Sequence, residues 1–247
     1  NQVQVLKDVS FGVRSGMIFG IAGVQGNGQV ELIDLMTRKR AVREGDIRLN
    51  GTSIKKLSIQ EIRKMQFGYV PEDRIEQGIA GQESIAENMV SNRYATSEFC
   101  RGGLLDYKKI EEFADENIQE YEIRCSGNKQ KVGMLSGGNI QKVVVAREFT
   151  SGSNFILANQ PTRGIDVGAA EMIRKTIVRK SREEGTATLL ISADLNEVLE
   201  CSDRLLVFRK GKVVAAFPKA NEVSEAELGE YMLGLKTMTA EEMEGLL

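Results

Sequence analysis

Two stretches of this sequence combine residue types that can bind phosphate. Gly23-Val24-Gln25-Gly26-Asn27-Gly28-Gln29-Val30 is glycine-rich and follows an apolar run. Its spacing is that of a phosphate-cradling loop, G-x-x-x-x-G-K-[ST], without the last two residues. Such a loop turns backbone N–H groups onto phosphate, with a lysine to neutralise the outer oxygens and a hydroxyl to bind Mg²⁺. Here Gln29 offers hydrogen bonds without charge, and Val30 offers no oxygen. A unit charge pair ~4 Å apart near a protein surface is worth about 4 kcal/mol before desolvation, so the missing lysine matters for triphosphate affinity. Taken alone the loop is a weak signal, and a tight strand-to-helix turn is the plainer account of it. A dinucleotide-type loop fits less well, because Val30 and Glu31 follow with no third glycine.

The second stretch is Leu135-Ser136-Gly137-Gly138-Asn139-Ile140-Gln141, where a serine and two glycines open an apolar-periodic segment. A helix starting there presents N–H groups free of side-chain obstruction and roughly half a positive charge from its dipole, which suits an anion. An ordinary serine cap is the plainer reading of those three residues alone. Further on, Phe155-Ile156-Leu157-Ala158-Asn159-Gln160-Pro161 runs from apolar to polar into a proline turn. As a strand it places Asn159 and Gln160 at the carboxyl edge of a sheet, where ligands bind in open α/β folds. A plain strand exit has the same local look.

What is missing narrows the chemistry. The 247 residues contain no histidine, which removes Ser-His-Asp and Cys-His catalysis, histidine metal ligands and a histidine base together. Hydrophobic residues make up 41 % and charged ones 28 %, the balance of an ordinary globular chain with enough length for a real core. A net charge of −2 gives no electrostatic drive toward nucleic acid or anionic lipid. No apolar run approaches the roughly 18–20 residues that span a bilayer, so a membrane link must go through a partner. Cys100, Cys125 and Cys201 are scattered and odd in number, as for free thiols in a reducing compartment. No signal peptide precedes the strand-like start Asn1–Leu6, which suggests a fragment of something longer.

The elements that must position these residues follow from periodicity. Met17–Ala22 reads as a buried parallel strand and Gln29–Met36 as the helix after the loop. Asp46–Leu49 with Asn50-Gly51 predicts a hairpin to Ile54, and Phe67–Val70 a strand stopped by Pro71. From about Ser84 to Glu148 the pattern is helical, with Ile110, Phe113, Ala114 and Ile118 on one face of Tyr107–Tyr121. Strands at Asn154–Ala158, Thr188–Ser192, Arg204–Arg209 and Lys212–Phe217 alternate with helices at Ala169–Arg182 and Leu195–Leu199. The tail Ser224–Leu247 is helical and acidic, with a solvated charged face. The expected fold class is α/β with a mostly parallel sheet and a helical insert.

In this order and spacing the blocks resemble the nucleotide-binding domain of ABC transporters, across about residues 3 to 217. Leu135-Ser136-Gly137-Gly138-Asn139 followed by Gln160-Pro161-Thr162-Arg163-Gly164-Ile165-Asp166 carries the likeness most specifically. With Pro71-Glu72-Asp73-Arg74, Gly138-Asn139-Ile140-Gln141-Lys142 and Asp166-Val167-Gly168-Ala169, the chain is similar to the second, degenerate half of tandem ATP-binding subunits. Those subunits serve importers of simple sugars and nucleosides, and the nucleoside branch is the nearer likeness. The resemblance implies one ABC-type domain over residues 1–247: an α/β core over 1–82 and 142–217 with an antiparallel β subdomain, a helical subdomain over 83–141 carrying the signature, and a helical tail over 218–247.

The resemblance also implies roles. Gly23, Gly26, Gly28, Gln29 and Val30 form the phosphate loop, with Gln29 in the lysine position and Val30 in the Mg-binding hydroxyl position. Asn159 stands for the acid of the Mg shell, Gln160 for the carboxylate that polarises the attacking water, and Ala193 for the switch histidine. Ser136, Gly137, Gly138 and Asn139 form an intact signature; Glu72, in place of the usual glutamine, lies at the coupling loop and Asp166 at the dimer contact. With lysine, Mg ligands, base and switch histidine absent together, the chain's own site is expected to be catalytically dead, with weak or no nucleotide and no resident metal. Its signature is expected to complete a site for ATP with Mg²⁺ on an N-terminal half of the same subunit. That subunit would lie peripherally on the cytoplasmic face of the membrane, against permease subunits fed by a substrate-binding protein, without nucleic acid. The alternative is a noncatalytic nucleotide-binding or scaffolding module that only supports dimerisation. DNA-maintenance and ribosome-associated relatives of the signature fit poorly, because sustained heptads and basic bias are both missing.

Overall fold

The computed structural model describes residues 5–246. In chain order they form β1 (Ile18–Ala22), α1 (Gln29–Met36), the short hairpin strands β2 (Arg48–Leu49) and β3 (Thr52–Ser53), α2 (Ile59–Lys64) and β4 (Phe67–Val70). A π-helical turn (Arg74–Gly78) leads to α3 (Ile85–Val90), a second hairpin of β5 (Cys100–Arg101) and β6 (Leu104–Leu105), α4 (Tyr107–Glu120) and α5 (Gly137–Thr150). The chain continues through β7 (Phe155–Asn159), α6 (Val167–Glu184), β8 (Ala187–Ile191), α7 (Leu195–Cys201), β9 (Arg204–Arg209), β10 (Lys212–Phe217), α8 (Glu225–Leu233) and α9 (Ala240–Met243).

Two compact units result. One takes in the chain up to Phe67, Asn154–Asn159 and the chain from Ile177 onward; the other takes in Gly68–Ser153 and Gln160–Thr176. In the first unit the strands lie in the order β10-β9-β1-β8-β7. β1 pairs parallel with both β8 and β9, β7 pairs parallel with β8, and β10 closes antiparallel on β9. All five residues of β1, β7 and β8 are buried, as continuous apolar runs require when both faces of a parallel sheet are covered. α7 lies so close to β1 that a Cβ on Gly20 would stand 2.8 Å from Val198 Cγ1 and collide with Ser202 Oγ. The acidic tail belongs to this unit through its apolar side, with Leu228 in the core and Tyr231 edge-on to Phe217 at 5.5 Å.

The second unit is centred on α5, whose residues from Ile140 to Phe149 are buried without a break. α3 packs against α4 and α5. On the expected apolar face of α4, Ile110 and Ala114 are buried, while Phe113 meets Phe99 edge-on at 5.3 Å. This unit, at Gly68–Ser153 and Gln160–Thr176, is wider than the 83–141 insert suggested by resemblance.

The alternation of strands and helices follows the sequence expectation, with three local differences. Asn1–Gln4 of the expected opening strand lie outside the described residues, and Val5 and Leu6 are not in a strand. α2 had no periodic signature, yet Ser58 and Glu61 cap it reciprocally. The β5–β6 hairpin interrupts a stretch that reads as helical, turning through Gly102 and Gly103 at φ +59° and +83°. Among the described residues no helix is long and apolar enough to cross a membrane.

Candidate functional site

The glycine loop sits where β1 delivers the chain to α1. Gly23 has no room for a side chain, because a Cβ there would lie 2.5 Å from Gln29 Nε2 and 2.7 Å from the Phe208 carbonyl. Gly28 is the cap residue of α1 and takes φ +117°, a left-handed conformation that favours glycine. The rim is tied down by Asn27: its side-chain oxygen accepts from the Lys210 N–H at 2.8 Å, its carbonyl accepts from the Gly211 N–H at 2.9 Å, and its Nδ2 donates to the Val24 carbonyl at 2.8 Å. The β9–β10 turn is thereby fastened to the loop.

Gln29 is buried and its carboxamide folds back across the loop. Its Oε1 accepts the Asn27 N–H at 3.1 Å, and its Nε2 donates to the Val24 carbonyl at 3.4 Å. An amide oxygen therefore takes one of the N–H groups that a phosphate-cradling loop turns toward its anion. Val30 is 44 % exposed and presents only methyl groups.

Two further expected positions fall at the same carboxyl edge of the first unit's sheet. Asn159 ends β7, buried and in register with Ile191 at the end of β8. Ala193 follows in the β8–α7 turn, where Asp194 caps α7 by accepting from the Asn196 N–H at 3.0 Å and the Glu197 N–H at 3.3 Å. β1, β8 and β7 are neighbours, so the loop, Ala193 and Asn159 leave adjacent parallel strands. Gln160, next in sequence to Asn159, opens the second unit's Gln160–Thr176 segment with φ +51°.

The second unit holds the stretch expected to be the signature. Ser136 is exposed and caps α5, its hydroxyl accepting the Asn139 N–H at 3.5 Å and Asn139 Nδ2 at 2.9 Å. With both acceptor positions used, its O–H points its proton elsewhere. Asn139 is held in turn by the Arg124 N–H at 2.8 Å. The two glycines have separate steric reasons: a Cβ on Gly137 would lie 2.7 Å from Arg74 Nη2, and one on Gly138 would lie 2.7 Å from Asp166 Oδ2 and 3.0 Å from Ala169 Cβ. Asp166 accepts the Ala169 N–H at 2.9 Å, and that bond is the main reason its carboxyl sits below the ordinary aspartate value. Gln141 Nε2 donates to the Pro161 carbonyl at 2.7 Å, fastening the Pro161–Asp166 loop to α5, and Glu72 pairs with Arg163 of that loop.

An exposed serine, a glycine-lined helix start and a fourteen-residue helix behind it form a surface able to receive an anion. Arg74 and Arg163 lie in the blocks that carry the resemblance, but the sequence assigns neither a role. For Arg74 the local signal is the charged triplet Glu72-Asp73-Arg74, which an exposed turn explains almost as well.

The sequence model of the family described as ABC transporter matches residues 6–163. The nucleoside import ATP-binding protein NupA of Lactococcus lactis subsp. cremoris is 38 % identical over 229 residues, covering 93 % of this chain and 45 % of that protein. The guanosine import ATP-binding protein NupO of Bacillus subtilis is 37 % identical over 232 residues, covering 94 % and 45 %. The ribose import ATP-binding protein RbsA 1 of Rubrobacter xylanophilus is 36 % identical over 238 residues, covering 96 % and 46 %. The chain thus spans less than half the length of these curated relatives. The dimeric structure of MJ0796, a bacterial ABC transporter cassette, shares the fold with a TM-score of 0.75 at 21 % identity, over 87 % of this chain and 91 % of that one.

Proposed function

This chain belongs to the ABC transporter family of ATP-binding domains, and from that premise we propose that it is one half of the ATP-binding subunit of a simple-sugar or nucleoside importer, donating its signature to a companion domain's ATP. The companion is the N-terminal half of the same subunit. Permease subunits and a substrate-binding protein complete the system at the cytoplasmic face of the membrane. The observation that carries this reading is the contrast between the two halves of the nucleotide machinery within one chain. Ser136 is exposed and its turn is braced by Asn139 and by neighbours packed on Gly137 and Gly138, whereas the Asn27 N–H of the phosphate loop is taken by the chain's own Gln29.

The residues of the chain's own loop do not fit a magnesium nucleotide. Val30 has no oxygen for the metal, Gln29 has no charge for the outer phosphates, and the Asn27 N–H is engaged by a neighbouring carboxamide. The positions that would support the metal and the attacking water are the amides Asn159 and Gln160. Phosphoryl transfer relies on positioning and charge stabilisation, and this loop lacks the charged parts of both. On the signature side, the Ser136 hydroxyl and the N–H groups of Gly137 and Gly138 orient the outer phosphate of the companion's ATP. They bring no base and no metal ligand.

The test is ATP hydrolysis by the separately produced companion half, with and without this chain. Stimulation by the wild-type chain and none by Ser136→Arg is expected, since an arginine at the cap blocks the helix start. Equal behaviour of the two chains, with association demonstrated, would reduce this domain to the scaffold of the alternative reading.

A further inference from the structure

Arg74 opens the π-helical turn Arg74–Gly78, directly after Asp73, whose carboxylate caps that turn by accepting the N–H groups of Ile75 and Glu76 at 3.0 Å each. Its guanidinium lies on two other segments of the second unit. Nη1 donates to the Arg163 carbonyl at 2.9 Å and Nη2 to the Gly164 carbonyl at 3.1 Å. The same group lies against Gly137, where a Cβ would stand 2.7 Å from Nη2 and 3.4 Å from both Cζ and Nε. Gly164 takes φ +66°, the left-handed conformation that brings its carbonyl round beside that of Arg163. A planar fork meets two successive carbonyls; a lysine ammonium meets them only as a point charge.

Neither end of the Arg74 turn is slack. Before it, Pro71 fixes the exit from β4, and Glu72 is paired with Arg163, the residue whose carbonyl Arg74 holds. After it, the Gly78 carbonyl accepts from Arg147 Nη1 at 2.8 Å, and a Cβ on Gly78 would lie 3.0 Å from Val144 Cγ2. Arg147 and Val144 belong to α5, whose first residue is Gly137. The Glu72–Gly78 segment is thus held at one end to Gly137 and the Arg163–Gly164 backbone and at the other to the body of α5.

We propose that Arg74 is a positioning residue for the signature: its guanidinium clasps Gly137 to the Arg163–Gly164 backbone, so that the signature, that loop and the Glu72–Arg74 turn move as one piece. The proposal deepens the reading in which Ser136–Gly138 serve a companion's ATP, and rests on it for its effect on turnover. Arg74 touches no reacting atom. It fixes the geometry of the groups that do. Its loss should therefore lower turnover without altering how the companion's own phosphate loop first binds ATP.

The experiment uses the full chain as Arg74→Gln and Arg74→Lys, read in two ways. Amide hydrogen exchange on the chain alone should become about ten-fold faster in peptides covering 136–140 and 161–166, with α1 peptides unchanged. Both variants should do this, because lysine does not reproduce the fork. With the companion half and saturating chain, stimulated kcat for ATP should fall about ten-fold while KM stays within about two-fold. A role confined to folding predicts full kcat once chain is saturating. Unchanged exchange in both regions, a wild-type kcat at saturation, or full rescue by Arg74→Lys would each overturn the proposal. If the wild-type chain gives no stimulation while exchange still responds, the signature reading fails and the clasp stands.

Discussion

Gln29 changes the phosphate loop in a way that a missing charge does not describe. Its carboxamide accepts the Asn27 N–H and donates to the Val24 carbonyl, so the loop is satisfied by its own side chain. On the proposed reading, restoring a lysine at this position supplies a cation but leaves Val30, Asn159 and Gln160 at the positions that would support metal and water. We therefore expect Gln29→Lys to leave the isolated chain without measurable ATP turnover. Calorimetry on the wild-type chain should find weak ATP binding that Mg²⁺ does not improve, and a tight, Mg-dependent complex would contradict this. The charge deficit alone, about 4 kcal/mol before desolvation, sets a ceiling of roughly a thousand-fold on the affinity lost. On the signature side the residue scale is steric: Gly137 and Gly138 are each the place where another segment's charged side chain comes to rest.

Among the elements, α5 organises the second unit, and its interior carries an ion pair. Arg147 Nε and Glu148 Oε1 are 2.9 Å apart, Glu148 is fully buried, and its other oxygen accepts the Tyr69 N–H at 3.1 Å next to the end of β4. Removing one member of a buried pair leaves the other charge in low dielectric, at a cost of about 3–5 kcal/mol. Glu148→Ala should lower stability by about that amount in urea unfolding. Retention of wild-type stability would mean that Arg147 finds another partner. Such elements were largely legible in the sequence. β1, the glycine loop and α1 announce themselves through a continuous apolar run, punctuation and helical spacing, and the signature through Ser-Gly-Gly before a periodic segment. α2 was missed because its six residues are too few for periodicity to emerge, although the Ser58–Glu61 cap was there to be read. The β5–β6 hairpin was missed because two-residue strands leave almost no alternation to detect. The bracing of the signature was not legible at all: Arg74 and Arg163 are 89 positions apart, and no local pattern encodes that meeting.

For the whole molecule the absence of histidine has a thermodynamic consequence. No side chain with an ordinary pKa between pH 5 and 8 is present, so stability should be nearly flat from about pH 6 to 8. Several carboxyls are held below their ordinary values in the fold: Glu61 by the Ser58 N–H, Glu87 by the Ser84 hydroxyl and Asp166 by the Ala169 N–H. A carboxyl with a depressed folded pKa stabilises the fold above its unfolded pKa, and that contribution is lost as pH falls through the folded value. The ordinary values are 4.5 for Glu and 3.8 for Asp, so thermal stability should begin to decline below about pH 4.5. A melting-temperature series in buffers of constant ionic strength checks both the plateau and the acid edge. A step near pH 6.5 would contradict the account. The fastening of the loop to the β9–β10 turn bears on how this chain tolerates mutation. Gly23 and Gly28 are held to glycine by Gln29, Phe208 and the Gly211 backbone, all of them parts of the protein itself. Substitutions there cost folding whether or not the loop holds nucleotide, whereas Val30 is 44 % exposed and under no such crowding. The shape of the loop is therefore a requirement of the fold itself as well as of any ligand, because neighbouring segments pack directly on its glycines.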